Sequence, residues 1–479
     1  MIQSVFSNNN DRITKHLWLY FGIIVVINIG LKIIHLDFSS FWYDEIISVQ
    51  SASLDFGHIK HVSEWDKNPP FYYYCLSVWI KLFNDSEFCV RLLSVIFSSL
   101  SAGILFLFAN KHFNKITAIL VSLLYVASDI MFFYAHEARA YSLVVLLTLV
   151  SSHIFLNFKH KLTTSGVIAL GLINFLLIYS HYIAGIVVFF QCVLMVFNFN
   201  KQQKKYFSLS VLLTIALIFL RFTKKQALVI IGFNSSESPF WLKTSDFNAL
   251  MDVLSKFLFS NILIFPMLLL MIIGVVFALK FKDAKTYFAL LYSFLIGLAS
   301  IITVCFFGKL TPIFLDRYLI FSIPFMFLMI AYSLSFIKVK LVPIIALIGF
   351  MVFFILKIDY RTPKAMDYKS VVSFVKQIKN ETDIIIVKTK DIKALFGYYY
   401  EPNYLKFLKS DLTNSSNIIF CSSWEDVSKD LSSYKRVIVI DTFEDLNPNE
   451  KKFTHELALL KPYAASSNYY KGVKISFYK

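Results

Sequence analysis

The chain has 479 residues, of which 57% are hydrophobic, 17% aromatic and 16% charged, against about 45–50% apolar and about 25% charged in soluble globular proteins. With a mean hydropathy of +0.63, this composition excludes a purely soluble enzyme. The net charge of +16 would suit a nucleic-acid partner only if the cations formed one surface, so their placement decides. Five cysteines form neither a C-x-x-C pair nor a regular disulfide framework.

A bilayer-spanning helix needs about 20 apolar residues. Windows of that kind lie near 17–36, 88–109, 115–134, 138–158, 163–180, 182–198, 206–221, 255–279, 286–307, 313–336 and 341–358, giving about eleven expected spans. The first follows Arg12 and Lys15, is too long for a signal-peptide core, and reads as an uncleaved anchor. Lys32 near its outer end is expected to snorkel to the interface.

Alternate short loops are basic: Lys111 and Lys115, Lys159 and Lys161, Lys201, Lys204 and Lys205, Lys280, Lys282 and Lys285, Lys338 and Lys340. Basic short loops stay cytoplasmic, so the opposite loops and the segment after residue 358 are expected outside. Two domains follow. Residues 1–358 form a transmembrane catalytic part with a large first outer loop at 37–87, and 359–479 form a soluble extracytoplasmic domain. The latter holds 19 Lys and Arg against 15 Asp and Glu. Helical patterns alternate there with apolar runs at Asp383–Val387, Asn417–Phe420 and Arg436–Ile440, which predicts a small α/β fold with a parallel core. No Gly-rich phosphate loop occurs, and the cationic excess sits largely on the basic loops, so no nucleic-acid partner is expected.

Ionisable groups beside a membrane point to function. In the first outer loop, Asp44 and Glu45 stand side by side after an aromatic cluster. On a helix start they diverge by about 100°, and two readings are open: a general base with a partner that fixes geometry or a cation, or helix capping. Asp66, Lys67 and Asn68 precede Pro69 and Pro70, a stiff turn before Phe71–Trp79. Tyr72, Tyr73 and Tyr74 read mostly as an interfacial belt. The second outer loop is HEARAY, His136 to Tyr141. Arg139 there requires an anionic partner, either phosphate, which guanidinium binds bidentately, or a nearby acid such as Glu137. Arg91, Arg317 and the pair His181–Tyr182 fall toward the same side. A divalent cation on Asp44, Glu45 or Asp66, with His58 or His61 nearby, competes with the plainer reading of surface acids.

The ordered elements DE, N-P-P-F-Y-Y-Y, W-I-K-L-F, S-E-F-C-V-R-L-L-S, H-E-A-R-A-Y-S-L, S-H-Y and D-R-Y-L-I-F-S-I-P, over roughly 17–335, resemble bacterial GT-C glycosyltransferases. The closer resemblance is to the branch with protein O-mannosyltransferases and lipid A aminoarabinose transferases. It implies a polytopic enzyme of the cytoplasmic (inner) membrane that moves a sugar from a polyprenyl-phosphate carrier, with inversion, to a lipid, glycan or protein acceptor on the extracytoplasmic face. Carried onto this chain, Asp44 matches the acceptor-activating carboxylate and Glu45 its neighbour. Arg139 matches a donor-phosphate ligand, with Arg317 and Lys67 beside it. Asp66, Asn68, Tyr141, His181 and Tyr182 are further candidates for substrate contact. Many relatives carry His where this chain has Asn68, which bears on any metal role there. A lipid-linked polysaccharide polymerase or a polyprenyl-linked glycan transporter are the alternative readings. A transporter would place charges near mid-membrane, which these windows largely lack.

Overall fold

Several of the apolar windows become helices whose starts are fixed by capping side chains. Asn114 accepts the Thr117 N–H at 2.9 Å, Thr163 that of Gly166 at 3.1 Å, and Asn200 and Gln203 cap each other reciprocally; each satisfies amides that the first helical turn leaves without partners. The computed structural model describes residues 11–65, 68–158, 162–222, 244–281, 283–309, 313–339, 341–357, 366–388, 392–401, 417–421, 424–427, 431–441, 450–460, 463–470 and 473–479. Its contacts divide the chain into two compact units. The first is Met1–Ile34, Phe56–Cys75 and Arg91–Ile358, and the second His35–Asp55, Leu76–Val90 and Asp359–Lys479.

Six described helices are long and apolar enough to cross a membrane: Glu87–His112, Tyr141–Phe158, Lys201–Arg221, Asn261–Lys280, Ala284–Gly308 and Asp316–Leu334. A seventh span exists if Lys115–Ala127 and Asp129–Ala135 are counted as one, although they meet at 62°. The bend is at Ser128, which leaves helical geometry and caps the second segment through Met131 N–H. His16–Lys32, Thr164–Ile178 and Tyr182–Asn198 are shorter apolar helices. The expected count of eleven therefore exceeds what helix length and hydropathy support among the described residues.

Neutral polar groups join the helices of the first unit. Ser151 donates to Asn174 at 2.6 Å, Asn174 to Gln191 at 3.1 Å, and Gln191 back to Ser151 at 2.8 Å and on to Tyr292 at 3.2 Å. Tyr292 also meets Ser152 at 2.7 Å, and all five residues are fully buried. Gly171 lets two helices approach closely, since a Cβ there would lie 2.9 Å from the Ser210 carbonyl; small residues serve the same purpose in membrane bundles generally. Lys32 departs from the expected snorkelling. It is buried, donating to Ser98 at 2.8 Å and the Met131 carbonyl at 3.1 Å, with its ammonium 5.1 Å from the Tyr125 ring centre. Three helices bind the ammonium in the bundle, so it has no need of the interface.

In the second unit a five-stranded sheet has the order β2-β1-β3-β5-β4, with β1 Asp383–Lys388, β2 Ile418–Cys421, β3 Arg436–Asp441, β4 Tyr463–Tyr470 and β5 Val473–Tyr478. β1 runs parallel to β2 and β3, while β5 is antiparallel to both β3 and β4. Every residue of β1 is buried, as in a parallel strand covered on both faces. Ile384, Ile386, Val437 and Val439 pack with Phe453, Leu457 and Tyr478 in the core. Two ion pairs bracket the central strands: Arg436 with Asp383 at 2.6 Å at their starts, and Lys388 with Asp441 at their ends. The Tyr368–Ile378 helix, capped by Asp367, buries Val371, Val372 and Val375.

Candidate active site

The paired acids lie in the second unit, on the helix Tyr43–Ala52. Trp42 is the N-cap, so Asp44 and Glu45 occupy the second and third helical positions. Glu45 is 1% exposed, and its Oε2 accepts the Trp42 N–H at 3.3 Å. That bond satisfies an amide of the first turn, so the capping reading applies to Glu45. Asp44, about 100° round the helix, stays partly accessible. Both acids favour the positive end of the helix dipole.

The cationic candidates lie in the first unit. Arg139 is 6% exposed and donates from Nη1 to the Tyr73 hydroxyl at 3.3 Å. Tyr73 and Tyr72 are themselves buried, Tyr72 meeting Ser94 at 3.2 Å, so these two tyrosines are interior groups and not the interfacial belt the sequence suggested. Asn68 is half-buried before the buried Pro69 and Pro70. The next residue, Phe71, donates its N–H to the Tyr179 carbonyl at 3.2 Å, tying the double-proline turn to the segment that leads into His181.

His181 caps the short turn Tyr182–Ala184, and its ring lies 4.7 Å from that of Tyr318. The Arg317 guanidinium is 5.6 Å from the centre of the same tyrosine ring, a cation–π arrangement. Burial first, and then the charges of Arg139 and Arg317, lower the His181 pKa to about 3. The imidazole is thus neutral at physiological pH, and its buried Nδ1 has no hydrogen-bond partner among the described residues. Arg139 and Arg317 also act together on buried Tyr141. The hydroxyl of Tyr182 is buried without a hydrogen-bond partner among the described residues, beside Phe222. Arg91 is buried in the same unit. Arg139, Arg317, His181 and Tyr141 therefore share one electrostatic neighbourhood, suited to an anion, since fixed guanidinium groups recognise phosphate by charge and planar geometry.

Sequence reasoning missed the support under Arg317. Asp316 accepts the Tyr134 hydroxyl at 3.0 Å, Lys256 at 3.0 Å and its own neighbour's amide, Arg317 N–H, at 2.7 Å. Lys256 also pairs with Asp252 at 2.9 Å. Asp316 lay within the D-R-Y element, but nothing in the sequence joined it to Lys256, 60 positions away. Asp66 and Lys67 lie outside the described residues, as does the side chain of His61. Among the described residues no three His, Cys, Asp or Glu side chains converge as a metal site.

Residues 67–222 match the family described as dolichyl-phosphate-mannose-protein mannosyltransferase. No curated protein matches the sequence. Among solved structures, apo ArnT from Cupriavidus metallidurans is similar with a TM-score of 0.60 at 12% identity, covering 96% of this chain and 97% of that one. The same protein bound to undecaprenyl phosphate gives 0.59 at 13% identity, covering 96% and 98%. The Archaeoglobus fulgidus oligosaccharyltransferase complexed with zinc and sulfate gives 0.51 at 12% identity, covering 79% of this chain and 61% of that one. At such identities the structural likeness is one of fold. Residues 67–222 are thus similar to that mannosyltransferase family, and the chain along nearly its whole length shares the fold of ArnT.

Proposed function

We propose that the enzyme transfers a sugar from a polyprenyl-phosphate carrier to a hydroxyl of a lipid, glycan or protein acceptor, with inversion, at the extracytoplasmic face of a bacterial inner membrane. The observation that carries this reading is the pair of guanidinium groups, Arg139 and Arg317, acting on one buried neutral imidazole, His181. It is supported by a relative of the same fold that was solved with undecaprenyl phosphate. Residues 1–358 would form the catalytic part and 359–479 the external domain.

In this reading the Asp44 carboxylate takes the proton of the acceptor hydroxyl as its oxygen bonds to the anomeric carbon. The bond from that carbon to the carrier's phosphate oxygen breaks, and the electron pair leaves with the polyprenyl monophosphate. Negative charge grows on the leaving phosphate, so Arg139, Arg317 and Lys67 stabilise the transition state more than the ground state. His181, being neutral, can orient substrate oxygens without drawing the phosphate from the arginines. Asn68, Tyr141, Tyr182 and Asp66 are assigned to substrate contact. A divalent cation, if used, would bind Asp44, with Glu45 and Asp66 as further carboxylates; Glu45 already holds the helix start.

The test uses membranes supplied with a polyprenyl-phosphate sugar. Asp44→Asn, correctly inserted, is expected to lose transfer by about 10²-fold or more, the usual range for a general base. Full activity would remove Asp44 from the role.

A further inference from the structure

The second unit combines two stretches of the first outer loop with the C-terminal segment, and one side chain binds both loop stretches. The Tyr399 hydroxyl accepts the Phe41 N–H at 2.7 Å and donates to Glu87 Oε1 at 2.6 Å. Glu87, 7% exposed, takes Lys369 on its other oxygen at 2.6 Å. Around this node Ser40 donates to the Met366 carbonyl at 2.8 Å, Tyr398 donates to the Asp85 carbonyl at 3.0 Å, and the Phe41 and Tyr398 rings meet edge to face at 5.2 Å. Phe41 is completely buried. Two residues beyond it begins the helix that carries Asp44.

We propose that Tyr399 and Glu87 are positioning residues: through the Phe41 amide they fix where the Tyr43–Ala52 helix starts, and so where the Asp44 carboxylate stands. The claim rests on the assignment of Asp44 as base, and it makes the external domain part of the catalytic apparatus.

The chemistry of the node fits a rigid clamp. Burial and the neighbouring Glu87 charge push the Tyr399 pKa well above that of a free phenol. Its hydroxyl therefore remains a proton donor toward Glu87 while accepting from Phe41. Lys369 compensates the buried carboxylate, so the donor faces a fixed anion. Only three positions separate Phe41 from Asp44. A shift at the anchored amide passes into the helix start with little slack, and about 1 Å of misplacement can cost roughly 10²-fold in rate.

Tyr399→Phe removes the hydroxyl and keeps the ring. It is expected to lower kcat by roughly 10- to 100-fold while leaving the KM for the polyprenyl-phosphate sugar within about twofold, because the assigned donor-phosphate ligands are untouched. Amide hydrogen exchange at residues 41–46 should speed up in the same variant. Tyr400→Phe, which removes the neighbouring hydroxyl that accepts from Lys379, should change neither. If Tyr399→Phe does not fold, Glu87→Gln serves in its place: it keeps the shape of the node but not its charge, and a smaller fall in kcat with unchanged KM is expected. Unchanged kcat in the folded variant, or a fall matched by a rise in donor KM, would overturn the proposal. So would faster exchange without loss of rate, which would make the clamp structural only. Asp44→Asn assayed in parallel separates the two assignments. Full activity there, with loss in Tyr399→Phe, would remove the base assignment and the claim that the clamp acts through it, whereas an inactive Asp44→Asn beside a fully active Tyr399→Phe would overturn the clamp alone.

Discussion

The two units each hold a distinct set of buried polar contacts. In the membrane unit one interior network, apart from the buried arginines, is wholly neutral, Ser151, Asn174, Gln191, Tyr292 and Ser152, and Lys32 is met by a hydroxyl, a carbonyl and an aromatic face. In the second unit three buried carboxylates are each paired with a cation: Asp441 with Lys388, Asp383 with Arg436, and Glu87 with the half-exposed Lys369. Neutral groups need less compensation in hydrocarbon than charges do, which favours amides and hydroxyls where the surroundings are lipid. A buried ion pair adds little net stability, yet a lone buried charge is costly. The pairs at the two ends of β1 and β3 therefore act on register. Slipping β1 by one residue would separate Asp383 from Arg436 and Lys388 from Asp441 at once.

The sharpest way to break this contrast is Lys388→Met, which strands Asp441. A loss of about 3–5 kcal/mol is expected for the second unit, read as a fall in its denaturation midpoint. Adding Asp441→Leu should recover most of it, and a double variant as unstable as the single one would deny the pair its register role. A smaller effect tests the cationic neighbourhood of the membrane unit. His181 has a folded pKa lowered to about 3 against about 6.5 when unfolded, so the unfolded chain binds the extra proton between these values. Its contribution is present above pH 6.5 and is lost as pH falls toward 3, at most about 1.4 kcal/mol per pH unit. Melting measured from pH 7 to 5 should show this slope, and His181→Asn should flatten it; an unchanged slope would place the titration elsewhere. Gln191→Leu should be the mildest, roughly 0.6–1.7 kcal/mol for interhelical hydrogen bonds in a membrane, seen as a modest loss of detergent stability. A loss as large as that of Lys388→Met would erase the distinction between the units.

Much of this division was legible in advance because it depends on local pattern. The runs at Asp383–Val387, Asn417–Phe420 and Arg436–Ile440 became β1, β2 and β3 within a residue or two. The hairpin of β4 and β5 escaped notice because Ala465, Ser466 and Ser467 carry no apolar alternation, and their pairing with β5 is irregular. The bend at Ser128 was hidden for the opposite reason: the flanking residues are apolar enough to read through a capping serine. Asp44 and Glu45 were visible as a pair, but only the backbone at Trp42 tells them apart. What stayed unreadable was long-range: Lys32 to Ser98, Lys256 to Asp316 and Tyr399 to Phe41 are set by tertiary packing.

The ring of Ser151, Asn174 and Gln191 carries a consequence for biosynthesis. A chain emerging from the ribosome completes Tyr141–Phe158, Thr164–Ile178 and Tyr182–Asn198 before the segment bearing Tyr292 is made. Three of the ring's bonds can close at that stage, since Ser151, Asn174 and Gln191 already bind one another. Two amides that would resist lateral release into lipid one helix at a time can thus enter it as a shared, mutually satisfied set. Tyr292 arrives at a nascent bundle whose docking point is already assembled.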